Sequence, residues 1–298
     1  MGNLIKAEFR KIVTTRIWWA LALPAVFLAV GWGWLSSEVF TDVSSGLNEF
    51  MNDANVHTEL DKMSWASLAL TRAMNFATLF PMVFGGLAVA SEINRRTITT
   101  SFLTAPSRVS LLTAKAITYA VWGAIFGAIV ALSASLGVLI GASSDILPSA
   151  GDWILILLSG ILSCVLWTLL GMGLGALLGS PVATLLILLL YAGLVGPVSE
   201  LIITGASEGS NIAGFLPNGS ANGLTGSTAA ALLFDQLQEI LNRSAFTDEQ
   251  IDVFDQVVRA LAGAPGAFSL WLSGLIFLVW TAIFFVFGIM RNNNRDIT

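Results

Sequence analysis

Between Trp153 and Ser199 the chain reads WILILLSGILSCVLWTLLGMGLGALLGSPVATLLILLLYAGLVGPVS, 47 residues without one Asp, Glu, Lys or Arg. A helix rises 1.5 Å per residue, so about 20 residues cross roughly 30 Å of hydrocarbon, and this stretch is long enough to cross twice. The place of the turn is written inside it. Gly179 suits the end of one helix, Ser180 the cap of the next, and Pro181 its first turn, where no amide hydrogen bond is lost. The run is continuously apolar and lacks the alternation of a barrel strand, so two membrane helices are predicted, at about 153–178 and 181–199.

Working outward, charge-free stretches recur at 17–37, 73–91, 116–144 and 260–290. With the central pair they predict six spans, at about 17–37, 73–91, 116–141, 153–178, 181–199 and 268–290. The composition agrees. Of 298 residues, 55% are apolar and 11% charged, against roughly 45–50% and 25% in soluble domains. The mean hydropathy is +0.80. So few charges do not cover a surface in water, and the expected fold is an all-α polytopic membrane protein, a single transmembrane domain over 1–298. A lone cysteine, Cys164, forms no intrachain disulfide, and a lone histidine, His57, excludes a histidine-rich metal site.

Orientation follows from the basic residues, which are retained on the cytoplasmic side. Six crossings put both termini on one face. If that face is cytoplasmic, ten of the 14 basic residues lie inside, leaving only Lys62, Arg72, Arg243 and Arg259 outside. Glu8, Glu92 and Asp296 fall inside and the other sixteen of 19 acidic residues outside, so the low isoelectric point belongs to the outer loops and implies no nucleic-acid partner. The first span is too long for a secretory signal and is expected to be retained, with Trp18 and Trp19 at one interface and Trp32 and Trp34 at the other.

Three connecting regions carry further information. In the first sixteen residues, Ile5, Phe9, Ile12 and Val13 recur at helical spacing, with Lys6 and Arg10 on another face and Lys11 beside them, which predicts an amphipathic helix lying in the interface. The segment 92–115 is far longer than a turn requires; it combines Arg95 and Arg96, an apolar tip at Phe102 and Leu103, a break at Pro106, and Ser107 placed to cap the next helix. The segments 38–72 and 200–267 are expected outside. In the latter, Thr247 and Gln250 form a capping box ahead of Ile251, Phe254, Val258 and Leu261. Within the spans, Gly123 and Gly127, and Gly171, Gly175 and Gly179, recur four apart, a spacing that lets helices approach closely, within the chain or between two copies. Ser159, Ser163, Thr168 and Tyr191 are the deepest polar groups.

Several chemistries are excluded. No predicted span carries an ionisable residue away from its ends, which argues against proton or sodium coupling. One histidine cannot build an intramembrane metalloprotease or serine protease site. The four lysines, Lys6, Lys11, Lys62 and Lys115, follow Ile, Arg, Asp and Ala, so the Gly-Lys of a P-loop is missing. Energy for active transport would have to arrive from another chain.

Six helices with both ends inside, the N-terminal run Lys6-Ala7-Glu8-Phe9-Arg10-Lys11, and the Thr-Ile-Thr-Thr, Leu-Thr-Ala-Pro-Ser-Arg and Ala-Lys elements between Glu92 and Lys115 together resemble the ABC type-2 exporter permeases, notably bacterial membrane subunits encoded apart from their ATPase. The topology matches over the whole chain and the motifs only at these two places. The resemblance implies a permease in the bacterial cytoplasmic membrane that pairs with a second permease copy or a related permease, over separate nucleotide-binding ATPase subunits holding ATP and Mg. It implies no catalytic, cofactor or metal residues here. The coupling contacts would be Arg95, Arg96, Thr97, Phe102 and Leu103, with the helix of Lys6, Phe9, Arg10 and Lys11 beside them, and the 248–261 helix would cap an exit path. A conduit without buried charge would suit an amphipathic or lipid-like cargo. Two other readings remain open: a non-transporting scaffold or immunity component, and an enzyme using the acidic outer loops.

Overall fold

In a computed structural model, residues 2–53, 60–97, 107–207, 209–240 and 248–293 are described. They are helical throughout, without a strand among them. The N-terminal helix α1 (Gly2–Thr14) leads into α2 (Ile17–Asp53). The next crossing is split into α3 (Ala66–Ala77) and α4 (Leu79–Asn94). Two unbroken helices follow, α5 (Arg108–Gly141) and α6 (Ala150–Leu178). The fifth crossing is α7 (Pro181–Leu190), a π turn (Tyr191–Val195) and α8 (Gly196–Ala206). Then come α9 (Pro217–Ile240), α10 (Asp248–Leu261) and the last crossing, α11 (Leu270–Asn293).

Six of these stretches are long and apolar enough to cross a membrane: Ile17–Glu49, Ala66–Asn94, Val109–Gly141, Ala150–Leu178, Pro181–Ala206 and Leu270–Asn292. Alternate crossings bring α1, the end of α4, the start of α5, the α6–α7 turn and the end of α11 to one end of the bundle, and α9 and α10 to the other. At the α6–α7 turn Gly179 is left-handed, φ 70°, and Ser180 accepts from the Ala183 amide at 3.4 Å, with Pro181 in the first turn. Ser107 opens α5 with a reciprocal cap, its Oγ accepting from the Ser110 amide and the Ser110 Oγ accepting from the Ser107 amide, both at 3.1 Å.

α6 is the hub, packed against α4, α5, α9 and α11. The glycines explain how closely it sits. A Cβ on Gly171 would strike the Met82 carbonyl and one on Gly175 the Gly86 carbonyl, both on α4; one on Gly127 of α5 would lie 2.8 Å from the Ile161 Cα of α6. Gly123 likewise faces Thr168. These four glycines serve close helix contacts inside the chain. Ser159 and Thr168 donate to their own helix, at Ile156 and Cys164.

The charge-free windows underestimate the helices, because a helix goes on after its hydrocarbon portion ends. The first, expected at 17–37, runs on to Asp53. The second begins at Ala66 and carries Arg72; the third begins at Arg108 and carries Lys115; the fifth passes Ser199 to Ala206 and carries Glu200. The helices therefore carry ionisable residues within about two turns of their ends, outside the charge-free windows, and these are the groups around which the sites below are built.

The segment 200–267 is also more structured than a loop with one helix. α9, from Pro217 to Ile240, is inserted against α3, α6, α10 and α11. Its Gly, Ser, Asn and Thr residues hide it from a hydropathy reading, yet small side chains bonded to their own helix bury well: Ser220 donates to Pro217 O and Thr225 to Asn222 O, and both are fully buried. Thr247, His57, Phe102 and Leu103 lie outside the described residues.

Candidate functional site

At the end of the bundle that carries α1, three helices are pinned by charge. Glu8 sits on the same face of α1 as Ile5 and Ile12, three and four residues away, and that face is pressed onto the bundle: Glu8 is 7% exposed and Ile12 2%. The Lys115 ammonium, on the first turns of α5, is fully buried and donates to Glu8 Oε2 and to Glu92 Oε1, each at 2.7 Å. Glu92 ends α4. Lys11 donates to the same Glu92 Oε1, and its Nζ lies 4.0 Å from Glu8 Oε2. Two ammonium groups thus meet two carboxylates with zero net charge, and the cluster joins α1, α4 and α5.

Aromatic rings close the cluster from the membrane side. The rings of Phe9 and Trp18 lie tilted at 5.4 and 5.6 Å from Trp122 of α5, and Phe84 lies 5.0 Å from Tyr119. Exclusion of water strengthens these ion pairs and makes each costly to break. Burial, then the neighbouring Lys115, lowers the Lys11 ammonium from the ordinary lysine value to about 8, against the opposing pull of Glu8.

The two ends fastened by Glu92 and Lys115 are those between which the segment 92–115 leaves and rejoins the bundle. Arg95, Arg96 and Thr97 are exposed at its start. Arg96 has φ 58°, the sole positive φ of a non-glycine among the described residues, and its amide donates to Ile93 O at 3.1 Å. That left-handed residue turns the chain away from the α4 axis. Lys6 and Arg10 are exposed on α1, opposite the face that holds Glu8, and Phe9 is half-exposed. The remaining stripe residue, Val13, is 49% exposed, so the contact face of α1 is the Ile5, Glu8, Ile12 line more than the apolar stripe.

A model of the ABC-2 family transporter proteins matches residues 2–297. The chain belongs to that family. A search of curated proteins found no match. The ABC-2 chain is a multi-pass membrane protein and a permease subunit of an ABC transporter, by its family and its six apolar helices. Among the described residues no three His, Cys, Asp or Glu side chains are grouped to hold a metal ion.

From the sequence, Glu8, Glu92 and Lys115 stand as markers of sidedness and as parts of the two motif regions, not as one cluster. One signal was present: a carboxylate on the apolar line of a basic amphipathic helix wants a cation. The ABC-2 permease has a second polar feature that no spacing announced. At the α9 end, a cavity of about 450 Å³ lies between α3, α6, α8 and the start of α9, with Arg72 and Glu200 in its wall.

Proposed function

We propose that this ABC-2 permease is the membrane-spanning half of an exporter for an amphipathic or lipid-like cargo, driven by an ATPase on a separate chain that binds ATP and Mg. The ATPase docks on the segment 92–115, with Arg95, Arg96, Thr97, Phe102 and Leu103 as its contacts and Lys6, Phe9, Arg10 and Lys11 of α1 beside them. That end of the bundle is cytoplasmic, in a bacterial inner membrane, and a second permease copy or a related permease completes the path. In the first, fifth and sixth spans only 22%, 17% and 22% of an apolar 18-residue stretch is buried within the chain, which leaves ample apolar surface for lipid and for that partner.

The observation that carries the reading is the Glu8, Lys11, Glu92, Lys115 cluster. A segment hinged on two independent helix ends would flex under load and transmit little. Here both ends are tied to one another and to α1 by the buried Lys115. Movement of a docked ATPase then shifts α1, α4 and α5 together, and through the tight α4–α6 contact it reaches the hub of the bundle.

The test is co-purification of the permease with the ATPase encoded beside its gene, comparing wild type with the triple variant Arg95→Glu, Arg96→Glu, Phe102→Ala. The expected result is a stable complex for wild type and none for the variant, with the variant still folded in the membrane. A wild-type permease that recruits no ATPase would remove the energy source and leave a non-transporting scaffold as the reading to pursue.

A further inference from the structure

The wall of the cavity at the α9 end carries two opposite charges, Arg72 and Glu200, that are attracted across it but, among the described residues, form no direct ion pair. Glu200 is 2% exposed, and among the described residues its carboxylate accepts only from the Asn218 and Asn222 side-chain amides, the latter at 3.1 Å. Arg72 donates from Nε to Leu261 O at 2.9 Å and from Nη2 to Ala260 O at 2.7 Å, two of its five donors, and among the described residues pairs directly with no carboxylate. Asn75, one turn along α3 from Arg72, accepts from Thr225 through Oδ1, while its buried Nδ2 has no acceptor among the described residues. Donors on the α3 wall and an anionic acceptor on the α8 wall therefore face one space. A carboxylate withdrawn from water as far as Glu200 is costly unless a counter-charge meets it.

Apart from Thr78, the rest of the wall is apolar. Leu79, Met82 and Trp167 line the cavity, and so do Phe76 and Leu201, which are also 44% and 71% exposed. It thus opens sideways onto a surface suited to hydrocarbon. Its volume of about 450 Å³ falls within the roughly 300–1,000 Å³ of small-ligand sites. We propose that the cavity binds the headgroup of a zwitterionic amphiphile, with its ammonium on Glu200, its anionic group on Arg72 and Asn75 Nδ2, and its chain leaving past Phe76 and Leu201. That this amphiphile is the exported cargo rests on the permease reading above; the binding itself requires no ATPase.

Purified permease in maltoside micelles, titrated by native mass spectrometry with ligands of one chain length, tests the proposal. The probes are lysophosphatidylethanolamine, lysophosphatidic acid, an alkylammonium and, without a chain, free phosphoethanolamine. Wild type should bind the zwitterionic amphiphile at least tenfold more tightly than the other three. Glu200→Gln, which still accepts from the asparagines, should lose that advantage over lysophosphatidic acid. Gly193→Leu should weaken zwitterion binding, since Gly193 lines the cavity and a Cβ there meets nothing within 4 Å. Equal binding of the single-charge amphiphiles, equal binding of free phosphoethanolamine, or no binding at all overturns the proposal. So does an advantage that survives Glu200→Gln, and if that variant does not fold, unchanged zwitterion binding by Gly193→Leu decides against it. A permease that binds the zwitterion but no ATPase keeps the site and loses the transport reading; the reverse result removes only the site.

Discussion

At the residue scale the chemistry of the proposed cytoplasmic end turns on Lys11. Its folded value of about 8 lies below the ordinary lysine value of 10.5, chiefly through burial and then through Lys115. The unfolded chain therefore binds more protons than the folded one between these two values, and stability should rise with pH across that window. Below about pH 8 Lys11 is charged in both states and its contribution is constant. Competitive acylation should show a midpoint near 8 for Lys11 in the folded permease and near the ordinary lysine value after denaturation. Lys115→Met, which removes the second ammonium, should move the folded midpoint upward. Identical midpoints in folded and denatured protein would mean that α1 does not lie on the bundle as described.

At the scale of helices, the decisive contact is the one between α4 and α6. Gly175 allows the two backbones to touch, and its Cβ would strike the Gly86 carbonyl, which has no flexible end to swing away. Gly175→Ala should therefore lower stability by about 1–3 kcal/mol, the usual cost of an overpacked core. In a thermal melt in detergent it should fall well below Gly31→Ala, where an added Cβ meets nothing within 4 Å. If both alanines are tolerated alike, the α4–α6 interface is looser than these contacts require. The same interface is the route by which motion at Glu92 would enter the hub, so a folded Gly175 variant is also expected to export poorly while still holding its ATPase.

For the whole molecule, sidedness is the property that organises everything else. Cys164 is fully buried, and a Cys164→Ser background frees the chain for site-directed labelling. A cysteine at the exposed Glu239 should react with a membrane-impermeant maleimide on intact cells, and one at the exposed Thr14 only after permeabilisation. The opposite pattern would invert the orientation and with it the docking surface. The crossings themselves were legible because length and charge dominate transfer into hydrocarbon, and the Gly179, Ser180, Pro181 turn was legible because its physics is local. α9 was not, since its polar small residues are buried by neighbours distant in the chain. Nor were the ionic cluster and the cavity: Lys115 meets Glu8 across 107 positions, and Glu200 meets its asparagines across 18 and 22, separations that leave no periodic trace. The 37 residues of α2 make a rod of roughly 55 Å, nearly twice the hydrocarbon thickness. Anchored at the Trp18 end, such a rod is a lever arm: a tilt of about ten degrees would sweep its far tip through roughly 10 Å, so small angular changes among the packed helices become large displacements beyond the membrane surface.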